Sequence, residues 1–354
     1  MTKLHLLDMT PTDLEGWCRQ RQFEGYRAAQ VFEWVYRHRA ESFEAMTNLP
    51  KRLRADLAGQ LDIYQSQVTA RRQADDGTDK LLLTWPDGVT TECVLIPERQ
   101  RRTACVSTQV GCPVGCAFCA SGLAGFERNL TAGQIVEQAM RLRGGAAEGL
   151  THIVLMGIGE PLLNYEAVLS AIRTLNAPWG LAVGARRITL STVGVPKHIR
   201  RLAREGLQIN LAVSLHAPTD TLRRELVPMA ETVSIAQIVE AARDYFRQTG
   251  REVTLEYVLL GGVNDRQAHA ERLVAIARQI RCNVNLIRYN PVAGLPFAAP
   301  EAEAVTAFAG VLRRGGVNVR IRASRGGDIE AACGQLRLVR AAQQAAEQTE
   351  DPSA

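Results

Sequence analysis

The chain has 354 residues, 46% hydrophobic and 22% charged, with a formal net charge of +5. That balance excludes fibrous and low-complexity classes and leaves room for one large α/β domain with an appendage. No apolar run is long enough to cross a bilayer, and "MTKLHLLDMTPTDLEGW" meets charges too early for a secretory core, so a cytoplasmic address with no membrane partner is expected.

Residues 1 to about 60 show helical spacing with breaks at Pro11 and Pro50; in "RAAQVFEWVYRHRAESF" the apolar Val31, Phe32, Val35 and Tyr36 recur at helical intervals. In "DKLLLTWPDGVTTECVLIPE" a "PDG" turn signal separates two apolar runs, which predicts a hairpin. Residues 1–90 are expected to form a small N-terminal accessory domain, 91–340 the core, and the polar 341–354 a disordered tail.

From about residue 104, short β-branched runs alternate with helical stretches: "ACVSTQV", "THIVLMG", "RRITLST", "QINLAVSL", "EVTLEYVLL", "CNVNLIRYN" and "VNVRIRAS". Such alternation implies parallel strands with right-handed crossovers, hence an α/β fold built on a partial or complete β/α barrel. Polar and glycine-rich residues follow each run, at the carboxyl ends where parallel folds place their sites. In order these are "GCPVGCAFCASG", "GIGEPLLN", Ser191, "SLH" at 214–216, Asn290 and "RGGDIEAACG".

Eight cysteines in a chain of this size do not make a disulfide framework in a reducing compartment. Cys18, Cys93 and Cys282 sit among apolar neighbours and read as small buried hydrophobes. Cys112, Cys116 and Cys119 are different: three thiolates in C-x3-C-x2-C spacing can hold three irons of a cubane and leave the fourth open. A zinc site completed by His216 or Cys105 is the competing reading; it lacks the paired second half of a zinc knuckle. The arginine groups "ERQRR", Arg186–Arg187, "KHIRRLAR", Arg223–Arg224 and Arg320, Arg322 and Arg325 are candidate phosphate contacts or solvated faces.

The cysteine motif, with an aromatic before its last cysteine, resembles the radical S-adenosylmethionine (radical SAM) enzymes. The blocks "TTECVLIPE", "CVSTQVGC", "GIGEPLLN", "AVSLHAP", "GGVNDR", "YNP" and "GGDIEAACGQL" resemble, in order, the adenine-C2 methyltransferases of 23S ribosomal RNA and tRNA. Ile158 and Gly327 depart from that pattern without removing a ligand. The resemblance implies a radical SAM partial (β/α) barrel with an N-terminal appended domain, residues 1–90, that binds RNA, and one 4Fe-4S cluster on Cys112, Cys116 and Cys119. It implies SAM contacts from Gly159, Glu160, Ser191, Ser214, Leu215, His216 and Asn290.

It further implies that two SAM molecules are consumed per methylation. One methylates Cys333; the other becomes the radical that takes hydrogen from the S-methyl group, because carbon 2 of adenine is too electron-poor for ordinary methyl transfer. Cys105 would release the product through a transient disulfide with Cys333, and Cys105 or Glu92 would take the C2 proton. Implied partners are 23S rRNA, tRNA as a second candidate substrate, and an electron donor such as flavodoxin. The rivals are a sister enzyme methylating C8 of the same adenine and a non-catalytic RNA-binding protein with a structural metal.

Overall fold

A computed structural model describes residues 3–123, 125–144 and 149–336. The expected disordered tail, 341–354, lies outside the described residues. Pro11, expected to break a helix, instead starts one: it is the first residue of α1 (Pro11–Gln20), where a missing N–H costs nothing. Thr10 and Asp13 cap that helix reciprocally. In the same way α3 (Lys51–Gln60) begins directly after Pro50.

Between them α2 (Arg27–Tyr36) buries the expected stripe of Val31, Phe32, Val35 and Tyr36. Phe32 and Tyr36 pack on Trp179 with ring centroids 5.2 and 6.0 Å apart, so the helical segment docks on the larger body through aromatic surface. A buried charged cluster adds to this. Glu137 accepts from the backbone amides of Gln65 (2.9 Å) and Ser66 (2.8 Å) and lies 3.1 Å from His5 Nε2. Asp8 accepts from the amide of Gly133 at 2.5 Å.

One ten-stranded sheet forms the body, and its strands lie side by side in chain order: β1 (Gln67–Gln73), β2 (Asp79–Thr84), β3 (Thr90–Glu98), β4 (Arg101–Cys105), β5 (His152–Leu155), β6 (Ile188–Thr192), β7 (Asn210–Ser214), β8 (Val253–Leu259), β9 (Cys282–Arg288) and β10 (Val319–Arg322). All pairs from β4 to β10 are parallel; β5 to β10 coincide with the last six β-branched runs, while β4 shares only Ala104 and Cys105 with the first. Helices α4 (Ala132–Gly144), α5 (Tyr165–Asn176), α6 (Pro196–Leu202), α7 (Asp220–Leu226), α8 (Ile235–Thr249), α9 (Gln267–Ala277) and α10 (Ala302–Arg314) make the crossovers. Among the described residues β10 does not pair with β4, so the barrel stays partial.

The predicted hairpin is β2–β3, with Pro86, Asp87 and Gly88 in its turn. It is not a separate module. β1 to β3 continue the barrel sheet in antiparallel pairing through β4, and this pairing crosses the division expected at residue 90 without a break. The helical segment ends nearer residue 60. The hairpin strands β2 and β3 are largely buried, as the parallel strands are, so the apolar pattern does not by itself mark where the accessory segment ends.

Candidate active site

The three-cysteine loop leaves the sheet through a two-stranded ribbon, Gln109–Gly111 against Phe126–Asn129, closed where the Cys112 amide donates to Gly125 O at 2.9 Å. The Ala117 amide donates to Leu226 O at 3.0 Å, and Val114 and Phe118 pack into an apolar cluster with Val193, Leu226, Val227 and Tyr289. The loop is thereby held over the carboxyl ends of the parallel strands. The thiols of Cys112, Cys116 and Cys119 all line one cavity of about 210 Å³, and none is in a disulfide.

Around the same cavity stand Cys105, Gly159, Glu160, Ser191, Ser214, His216 and Cys333. Gly159 has φ +108°, and a Cβ there would meet the Gln109 side chain at 2.7 Å, so only glycine lets the two loops approach this closely. Glu160 is fully buried. Its carboxylate accepts from the amides of Leu162 (2.9 Å) and Val193 (2.7 Å), bracing the ends of two neighbouring strands, while burial pushes its pKa up. The Ser191 and Ser214 hydroxyls lie 3.3 Å apart on adjacent strands. His216 takes a left-handed conformation, φ +59°. Its Nδ1 accepts from Val258 N at 3.1 Å, which leaves the proton on Nε2. Burial and the nearby Arg223 push it down to about 3, so the ring stays neutral.

Three of the expected residues do not line the cavity: Glu92, Leu215 and Asn290. Leu215 has its side chain in the core, with its amide donating to Glu256 O at 3.0 Å. Glu92 points toward β2, where its carboxylate meets Lys80 Nζ at 2.9 Å, both groups buried. Asn290 is tied to the segment carrying Cys333: its Nδ2 donates to Cys333 O at 3.3 Å, and its Oδ1 accepts from Ser324 Oγ. Spacing cannot reveal these placements, since each depends on which neighbour a strand end meets.

Cys105 and Cys333 reach the cavity from different elements, the end of β4 and the loop after β10. Cys105 packs with Val94, Ile158, Ala331 and Leu336, and burial pushes its thiol up to about 12. Cys333 is exposed to the cavity but closely surrounded; desolvation pushes its thiol up to about 11, with Arg322 pulling the other way. The Cys333 loop is anchored to the cysteine loop, where Gly334 O accepts from the Ala120 amide (2.8 Å) and Leu336 O from Ser121 Oγ (2.6 Å).

Among the described residues no three His, Cys, Asp or Glu side chains are placed to hold a single ion. Three thiols that face one cavity without converging on a point suit a polynuclear iron–sulfur group, in which each thiolate takes its own iron. Burial pushes Cys112 up to about 11 and shifts Cys116 and Cys119 the same way; coordination would draw these protons off.

Sequence reasoning missed Glu256 and Arg322. Glu256 stands on β8 opposite Ser214 and Asn285, facing the barrel interior, and accepts from Asn285 Nδ2 at 3.0 Å. A lone glutamate inside "EVTLEYVLL" was the available signal. Arg322, grouped above with phosphate contacts, turns inward to within 3.7 Å of Glu256.

The other arginine groups divide between the core and paired surface faces. Arg223 is buried and donates to the carbonyls of Val193 (2.5 Å), Leu215 (3.3 Å) and Val233 (3.3 Å), so it is a brace for the rim loops. In "KHIRRLAR", Arg200 pairs with Asp244 and Glu240, and Arg201 with Glu166. Of the cysteines read as structural, Cys18 and Cys93 are fully buried and Cys282 partly so.

Two family models match the chain, the radical SAM superfamily over residues 106–274 and the ribosomal RNA large subunit methyltransferase N-terminal domain over residues 4–63. Among curated proteins, the probable dual-specificity RNA methyltransferase RlmN of Rhodopirellula baltica is 48% identical over 95% of this chain and 91% of its own length. The protein of the same name from Thermosynechococcus vestitus is 46% identical, covering 94% of this chain and 98% of its own. A crystal structure of a radical SAM methyltransferase from Sphaerobacter thermophilus superposes with a TM-score of 0.92 at 48% identity, covering 94% of this chain and 99% of that one.

Proposed function

The chain belongs to the RlmN family of radical SAM RNA methyltransferases, and from that premise we propose that it methylates carbon 2 of an adenine in the peptidyl transferase centre of 23S rRNA, in the cytoplasm, through a methyl group carried on Cys333. A tRNA adenine beside the anticodon is the second proposed substrate, in keeping with the dual specificity in the relatives' names. The observation that carries this reading is that Cys105 and Cys333, from distant parts of the chain, line the same cavity as the three motif cysteines.

Cys112, Cys116 and Cys119 would hold the 4Fe-4S cluster. Gly159, Glu160, Ser191, Ser214 and His216 would surround SAM, with Leu215 contributing backbone only. With an electron donor such as flavodoxin, the bound cluster and two SAM molecules supply the methyl group and the means to remove a hydrogen from it.

The chain's own residues do the rest. Cys333 accepts the methyl group and delivers its carbon to the base, and the adduct would regain its aromatic ring by giving up its C2 proton to a protein base and one electron to the bound cluster. Cys105 lines the cavity and Glu92 does not, which favours Cys105 as acceptor of the C2 proton. Release follows when Cys105, having passed that proton on to solvent, attacks the Cys333 sulfur as a thiolate. The sulfur–carbon bond breaks with its electron pair going to the methyl carbon, that carbon takes a proton, and the disulfide left behind is reduced by an external dithiol.

The test is incubation of anaerobically purified protein with labelled SAM and protein-free 23S rRNA, followed by mass-spectrometric assignment of the modified base. We expect 2-methyladenosine. Label at C8 would transfer the assignment to the sister reaction, and no label in the rRNA would overturn it.

A further inference from the structure

The loop carrying Cys333 crosses from the end of β10 to the far side of the sheet, where it meets the β1–β2 hairpin. Three hydrogen bonds join them. Gly326 N donates to Asp76 Oδ2 (3.2 Å), Asp75 N to Asp328 Oδ2 (3.3 Å), and Lys80 Nζ to Glu330 O (3.1 Å). Arg325 adds an ion pair to Asp76 at 3.7 Å. The approach is close: Gly326 has φ +61°, and a Cβ there would meet Thr78 Cγ2 at 2.8 Å.

Glu330 is also left-handed, φ +53°, although it is not glycine. A side chain in that region is strained and persists only where its surroundings hold it. The turn is closed by the Ala331 amide on Gly326 O (2.8 Å), and the Lys80 ammonium holds the Glu330 carbonyl from the hairpin side, Lys80 being in turn fixed by the buried ion pair with Glu92. The strained residue stands three positions before Cys333.

We propose that Lys80 and Asp76 are positioning residues that hold the Cys333 loop in the conformation presenting its thiol to the cavity, with Glu92 acting through Lys80. This rests on Cys333 being the methyl carrier. Glu92 thereby gains a role that fits its place outside the cavity, and the antiparallel extension of the barrel gains one beyond covering a sheet edge.

The experiment measures two quantities in cluster-loaded, full-length protein: the rate at which Cys333 is alkylated by iodoacetamide, read on its peptide, and kcat and KM for rRNA. Lys80→Met should raise the alkylation rate and lower kcat, each about tenfold or more, as expected for losing a charge-assisted hydrogen bond, with KM little changed. Lys80→Arg should restore both to near the parent values. Adding Glu330→Gly to Lys80→Met should recover part of the loss, because glycine takes the left-handed conformation without strain. Asp76→Ala, at a partly exposed site, should shift both quantities the same way by a smaller factor and serves if Lys80→Met does not fold. Parent alkylation and turnover in folded Lys80→Met, or in Asp76→Ala where it stands in, would overturn the clamp. Failure of the carrier reading is separate: it would appear as RNA methylation surviving Cys333→Ala.

Discussion

The three motif cysteines differ from Cys18 and Cys93 in one physical respect: they face a cavity, whereas the other two are packed shut. Replacing Cys116 by alanine should therefore lower bound iron per chain and abolish reductive cleavage of SAM, both measurable anaerobically; undiminished cleavage would contradict the ligand assignment. His5 makes a prediction about pH. Burial alone would lower its pKa, but Asp8 and Glu137 outweigh that and raise it to about 9. A raised folded pKa means that this contribution is complete below the unfolded value of 6.5 and is lost as pH rises through about 9. The Asp8 and Glu137 carboxyls are lowered, so their contribution is lost in the opposite direction, as pH falls through their folded values. Melting curves of the parent and His5→Gln should differ most near pH 6, by about 3 kcal/mol, and converge above pH 9. A gap that persists at pH 10 would contradict the ion cluster.

At the scale of elements, the parallel half of the sheet could be read from the sequence because its central strands are largely buried and appear as short β-branched runs, although the edge strand β10 is mostly exposed. The rim motifs were legible for the same reason, since "GIGEP" and "SLH" sit where apolar runs stop. The antiparallel half was harder. β1, "QVTARRQ", has mostly exposed side chains and carries no alternation that marks it as sheet. That Lys80 and Glu92 are diagonal neighbours across β2 and β3 could not be read without the register, and the burial of Arg223 depends on carbonyls from three separate loops. Because Arg200 and Arg201 are held in ion pairs, alanine at both should change the slope of log RNA affinity against log salt by less than about 0.9, the value of a single phosphate contact. A change of about twice that size would restore α6 as an RNA-binding face.

Across the whole molecule, the partial barrel brings one thiol from the end of its first parallel strand and one from the loop after its last to a single cavity floored by the three-cysteine loop. The open side of the barrel is where the Cys333 loop lies, anchored to the hairpin extension on one flank and to Ala120 and Ser121 on the other. The central claim is that Cys333 carries the methyl group and Cys105 releases the product. It is tested most directly by denaturing gel electrophoresis after incubating Cys105→Ala and Cys333→Ala proteins with SAM, reductant and rRNA. Cys105→Ala should keep the carrier and lose the group that resolves the adduct, giving a slow-migrating, nuclease-sensitive protein–RNA species. Cys333→Ala should run as free protein and transfer no label. Near-normal turnover without an adduct in Cys105→Ala, or label transfer by Cys333→Ala, would contradict the account.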